Sequence, residues 1–164
     1  MSEHTKIELA QPTLRSKKLT GGFGPPLINR RMDMRYILND GGRYVAGFKG
    51  SAGDCAARAM AIALGLEYKE AYNEVAEGNA RNGLPKSARN GVMKNVFSDI
   101  LKQHGWVWCS APRFASRKAR CGDLPVGMFI ARQAKHFVAV LDGVPQDTFD
   151  CTHKMVYGYW KKGG

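Results

Sequence analysis

Cys55, His136 and Asp147 are residues of the types that together carry out thiol chemistry. A free cysteine has a pKa of ~8.5, so near neutrality only a small part of it is the nucleophilic thiolate. A histidine can remove the proton, and a carboxylate can hold that histidine in one orientation. Cys55 lies in Gly53-Asp54-Cys55-Ala56-Ala57-Arg58-Ala59-Met60-Ala61. Asp54 reads there as an N-cap and Cys55 as the first helical residue. Unpaired N–H groups at such an end favour an anion and can receive the oxyanion of a tetrahedral intermediate. Arg58, one turn later, brings a positive charge to the same side. A cysteine in an alanine-rich helix is equally at home as a small core residue, so the other two residues decide its reading.

His136 opens the apolar run Phe137-Val138-Ala139-Val140-Leu141, which ends at Asp142-Gly143. Asp-Gly favours a two-residue type I′ hairpin. That turn pairs Leu141 with Val144, Val140 with Pro145, Val138 with Asp147 and His136 with Phe149. His136, Val138 and Asp147 then share a face, which makes Asp147 the diagonal neighbour of the imidazole. Asp150 falls on the opposite face, and a one-residue slip would exchange the two carboxylates. Pro145 has no N–H to give a ladder, so its strand is expected at an edge or a bulge.

The elements that must position these residues follow from periodicity. A helix from Asp54 to about Leu64 is apolar nearly all round, hence buried, and Gly65 caps it. Tyr68 to Glu77 is amphipathic, and a third helix runs from about Val92 to Gln103. From there the period changes to that of strands: Trp106–Cys109, Gly127–Arg132, His136–Leu141, Val144–Phe149 and Met155–Trp160. Helices followed by a meandering antiparallel sheet predict an α+β fold with the N-terminal helices packed on a C-terminal sheet. Residues 1–40, with Gly21-Gly22-Phe23-Gly24-Pro25-Pro26, fit neither pattern and read as an extended basic arm before a domain over 41–164. The pocket is expected between the Gly78–Asn90 loop and the strand holding Trp106 and Trp108.

The 164 residues suffice for one core. With 25 Lys and Arg against 14 Asp and Glu, the formal charge is +11, which brings a polyanionic partner into view. The excess is dispersed, with one cluster at Arg113, Arg117, Lys118 and Arg120 beside Phe114. Four cysteines without a signal-peptide pattern at the first residues lead us to expect a reduced, cytoplasmic protein. No run approaches the ~20 apolar residues of a membrane span, so no membrane partner is expected. No C-x-x-C pair occurs, and neither metal nor other cofactor is expected. His4, His104 and His153 read as solvated or structural.

The Gly53-Asp54-Cys55 helix, then Lys135-His136-Phe137-Val138-Ala139-Val140 and a carboxylate one strand on, resembles the papain-like cysteine peptidase superfamily, in particular the double-glycine bacteriocin-processing peptidases. The stretch from Asp142 to Asp150 is also similar to small papain-fold proteins of phages and plasmids. The likeness covers roughly residues 44 to 160. It implies Cys55 as nucleophile, His136 as general base and acid, Asp147 as the orienting carboxylate with Asp150 as competitor, and a peptide or protein substrate. For a phage protein it implies the host cytoplasm or the virion. One position departs: the family's oxyanion-hole glutamine is replaced by Lys49, which would have to donate instead or leave the task to the backbone at Cys55.

Two functions follow as expectations. One is a thiol hydrolase acting on a peptide, isopeptide or amide bond. The other is a catalytically idle papain-fold binding or assembly protein, using the arm and the Arg113 to Arg120 cluster to hold nucleic acid or protein.

Overall fold

The computed structural model describes residues 35–164; the arm expected over residues 1–40 lies outside them as far as residue 34. Three helices, α1 (Cys55–Leu64), α2 (Tyr68–Arg81) and α3 (Lys94–Gln103), precede most of the strands. The strands are β1 (Ile37–Leu38), β2 (Trp106–Ser110), β3 (Met128–Gln133), β4 (His136–Leu141), β5 (Val144–Asp147) and β6 (Gly158–Lys162). They form one sheet in the order β1-β5-β4-β3-β6-β2. The α+β class is as expected.

The order of the sheet is not a simple meander. β6 inserts between β3 and β2, pairing antiparallel with both, so the last strand of the chain is interior and β2 is an edge. Gly158 allows this insertion: a Cβ there would lie 2.3 Å from the Trp108 ring, which crosses the backbone of β6. β1 pairs parallel with β5, which makes the sheet mixed and carries the body back to residue 37, ahead of the expected boundary at 41. Asn39 N–H extends that pairing to the Asp147 carbonyl at 3.0 Å.

The β4–β5 hairpin has the expected register, Leu141 opposite Val144 and Val140 opposite Pro145. Asp142 and Gly143 both take positive φ, 51° and 81°, as a type I′ turn requires. β5 ends at Asp147 rather than Phe149. The remaining boundaries move by a few residues, the largest shifts being α2, which continues to Arg81, and β6, which begins at Gly158.

β4 is buried along nearly its whole length because both faces of the sheet are covered. Phe137, Ala139, Ile130 and Trp160 pack with the helices, around Met60, Phe97 and Ile100. Val138, Val140, Phe129 and Tyr159 pack with Cys121, Leu124, Cys151 and Val156 from the connecting segments. α1 is almost all alanine where it meets the sheet. Ala56, Ala57 and Ala59 are at most 2% exposed, and their small side chains let the helix axis come close to the strands. Arg58 is the exception in that buried face. A buried guanidinium requires partners, and those partners define the site.

Candidate active site

Arg58 sits between two carboxylates. Its Nε donates to Asp54 Oδ1 at 3.1 Å, and its Nη1 donates to Asp147 Oδ1 at 2.7 Å and to Thr148 Oγ1 at 2.8 Å. The other oxygen of Asp147, Oδ2, lies 2.5 Å from His136 Nε2. Asp147 Oδ1 also accepts the Thr148 N–H at 2.7 Å. Both oxygens of this buried carboxylate are therefore engaged, and one of them orients the imidazole.

With Nε2 directed to Asp147, Nδ1 is the nitrogen left for a thiol. Burial pulls the His136 pKa down, but the Asp147 hydrogen bond and the adjoining Cys55 thiol outweigh it, and the imidazole ends above its ordinary value. Burial alone would raise Asp147; His136, the Thr148 N–H and Arg58 bring it below the usual carboxylate range. The pair is thus biased towards imidazolium and carboxylate. The Phe149 ring lies 5.0 Å from the imidazole, centroid to centroid, and covers one of its faces.

Asp54 immediately precedes Cys55 but does not cap α1: its side chain makes no capping hydrogen bond. It accepts instead from Arg43 Nε at 2.6 Å, from Arg58 and from the Tyr68 hydroxyl. These partners overcome burial and hold its pKa below the ordinary value, while burial and the same hydrogen bond push Tyr68 up. The first bond of the helix runs from Arg58 N–H to the Asp54 carbonyl at 3.1 Å. By helix geometry the N–H groups of Cys55, Ala56 and Ala57 have no intrahelical acceptor. Diverting the cap leaves that end open to an anion beside the thiol.

Cys55, half-buried, and His136 line one cleft of about 630 Å³. It is bounded by residues 52–58, by 90–94 ahead of α3, and by the β3–β4 hairpin with Phe149. Buried Asn79 fixes the middle segment, its Nδ2 donating to the carbonyls of Ser87 at 2.8 Å and Gly91 at 2.9 Å. Gly53 N–H donates to the Arg89 carbonyl at 2.7 Å and ties that segment to the start of α1. The expected loop supplies Leu84 and Asn90, but Trp106 and Trp108 do not line the cleft. The Trp108 ring lies under the Lys94 ammonium, 4.1 Å from the ring centroid.

The remaining candidates fall elsewhere. Lys49 is exposed and lines a separate cavity of about 450 Å³ rather than the Cys55 cleft. Its carbonyl accepts from Arg43. Asp150 is exposed and accepts from Thr152 N–H at 2.9 Å and from its hydroxyl at 2.6 Å, a local turn remote from the imidazole's bonds. Arg58 spends its charge on Asp54 and Asp147 rather than on the thiol directly. Of the basic cluster, Arg113, Lys118 and Arg120 are exposed, whereas Arg117 forks onto Asp123 at 2.6 and 2.7 Å and stacks on Phe114.

Periodicity and spacing did not reveal Arg43, Tyr68 or Thr148, which have no local signature. Arg58 carried one signal: a charge inside an otherwise apolar helix needs a buried counter-charge. Cys151 is also new to the site. His136, Asp147 and Cys151 place donor atoms within 4.8 Å of one another, the only such metal-ligand spacing among the described residues. Burial, Cys121 and Asp147 push the Cys151 thiol well up. Asp147 is already bonded to Arg58 and His136, so in this arrangement its carboxylate oxygens are engaged by protein donors. Comparison of the chain with protein-family models, with curated proteins and with solved structures finds no match.

Proposed function

We propose that the chain is a thiol hydrolase of papain-like type, with Cys55 as nucleophile, His136 as base and acid, and Asp147 as the orienting carboxylate. The observation that carries the reading is a buried imidazole bonded through Nε2 to Asp147 at 2.5 Å that lines, together with the half-buried Cys55, a single cleft. In the first step the Cys55 thiol gives its proton to His136, its sulfur bonds to the carbonyl carbon of an amide or ester, and the carbonyl electron pair moves to oxygen. Collapse of that adduct breaks the bond to the leaving group, which takes the His136 proton. Water then gives a proton to His136, attacks the thioester and restores the thiol. The free N–H groups at the start of α1 are the oxyanion donors in this scheme, in place of Lys49, which lines the neighbouring cavity.

The test is trapping of the acyl-enzyme from a peptide p-nitrophenyl ester, read by intact mass and peptide mapping. The expected result is one acyl group on Cys55, absent from Cys55→Ala and formed far more slowly by His136→Ala. Acylation spread over Cys55 and Cys109, and indifferent to His136, would reject the reading.

The polyanion-binding alternative rests on exposed Arg113, Lys118 and Arg120 with Phe114, and the bidentate bond of Arg117 to Asp123 withdraws one charge from it.

A further inference from the structure

Three cations line the Cys55 cleft without a carboxylate: Lys94, Arg132 and Lys135. No Asp or Glu contributes to the lining, and none of the three makes a salt bridge among the described residues. Arg58 also reaches this cleft, but its charge is met by Asp54 and Asp147. Two of the three stand where local physics disfavours them. Lys94 is the first residue of α3, whose first turn has no acidic residue, so a basic residue occupies the end of the helix where the dipole favours an acidic one. It is held there over the Trp108 ring. Lys135 has φ 52°, in the left-handed region where a lysine is strained and glycine or asparagine is the usual occupant. It is the residue immediately before His136. Strain and misplaced charge concentrated at one cleft are what a binding requirement produces.

We propose that this cleft takes an acidic peptide, with Asp or Glu side chains flanking the attacked carbonyl and pairing with Lys94, Lys135 and Arg132. The assignment rests on the thiol-hydrolase reading and names its substrate class.

The test uses three peptidyl acyloxymethyl ketones, Ac-Xaa-Xaa-Gly with Xaa as Asp, Leu or Lys. The Cys55 thiolate attacks the methylene carbon of each, forming a C–S bond and expelling the carboxylate. The expected result is inactivation by the Asp probe about tenfold faster than by the Lys probe at low ionic strength, the ratio falling towards one in about 0.5 M NaCl. Lys94→Glu places a carboxylate in the first turn of α3, and Lys135→Gly relieves the left-handed residue, so each variant suits its local backbone better. Each is expected to lower the Asp-to-Lys ratio several-fold. A ratio near one in the wild-type chain at low salt, or variants that leave it unchanged, would overturn the proposal. So would protection of Cys55 by an oligo-dT strand but not by poly-glutamate. Neutral iodoacetamide on the wild-type chain separates the two levels: fast, selective alkylation of Cys55 with no acidic preference overturns the substrate class alone. Alkylation of Cys55 no faster than Cys109 overturns both.

Discussion

The charges at the start of α1 and those of the 111–120 segment are built on opposite terms. Asp54, Arg58, His136 and Asp147 are all at most 8% exposed, and each is bonded to at least one of the others. Arg113, Lys118 and Arg120 are exposed, and the one strong pair in that segment is local, Arg117 being exposed beside the largely covered Asp123 carboxylate. Water screens a surface charge and makes its loss cheap, whereas a buried charge stripped of its partner pays the whole desolvation penalty. The first region therefore couples folding to the orientation of one imidazole. The second can change without consequence for either.

The sharpest way to break this contrast is to remove Arg58. Arg58→Ala leaves Asp54 without one of its cations and Asp147 with His136 as its remaining charged partner. Breaking a buried pair costs about 3–5 kcal/mol, a large part of the ~5–15 kcal/mol available to such a domain. Urea denaturation is expected to show that loss, and a shift of under ~1 kcal/mol would mean that the network is not formed. Next in size is the comparison of the two carboxylates. Asp147→Asn is expected to slow modification of Cys55 by one to several orders of magnitude, because an amide holds the wrong tautomer of His136. Asp150→Asn is expected to leave that rate and the melting temperature unchanged.

Acidification supplies a third test. Asp54 and Asp147 are held below the ordinary range, so their contribution is fully present above the unfolded value of ~3.9 and is lost as pH falls through their lower folded values. His136, raised by the fold, contributes below its unfolded value of ~6.5, and that contribution is lost as pH rises through the higher folded value. Stability is thus expected to fall steeply in acid and to decline gently as pH rises above the unfolded histidine value of ~6.5. Asp54→Asn and Asp147→Asn should each flatten the acid limb. The smallest effect is expected in the 111–120 segment: the combined substitution of Arg113, Lys118 and Arg120 by Gln should leave the melting temperature within error. If these residues hold nucleic acid, the same variant abolishes binding seen at low salt; if the unmodified chain binds none, that alternative falls.

Much of the site was legible because its geometry is local. Asp142-Gly143 dictates a turn with two positive φ values, the turn fixes the register, and the register selects Asp147 over Asp150. Cys55 at the first helical position followed from a cap residue and an apolar run in the same way. What sequence spacing could not supply were partners remote along the chain. Asp54 is an ordinary cap by type, but Arg43 and Tyr68 occupy its oxygens. β6 enters the middle of the sheet because Trp108 and Gly158 fit together, a match between residues fifty positions apart in sequence. The two-residue β1 is too short to show a period and exists through its pairing with β5. Nothing in periodicity or spacing singles out Lys94 or Lys135, whose setting depends on the start of α3 and on the φ of the β3–β4 connection.

The most direct test is the rate of iodoacetamide alkylation of each cysteine, followed by peptide mapping between about pH 5 and 9 in the wild-type chain and in His136→Ala. A thiol paired with His136 predicts that Cys55 reacts at least about tenfold faster than Cys109 near pH 6 and loses that advantage in His136→Ala. Cys55 reacting at the rate and with the pH profile of Cys109, unchanged by the loss of His136, would contradict it.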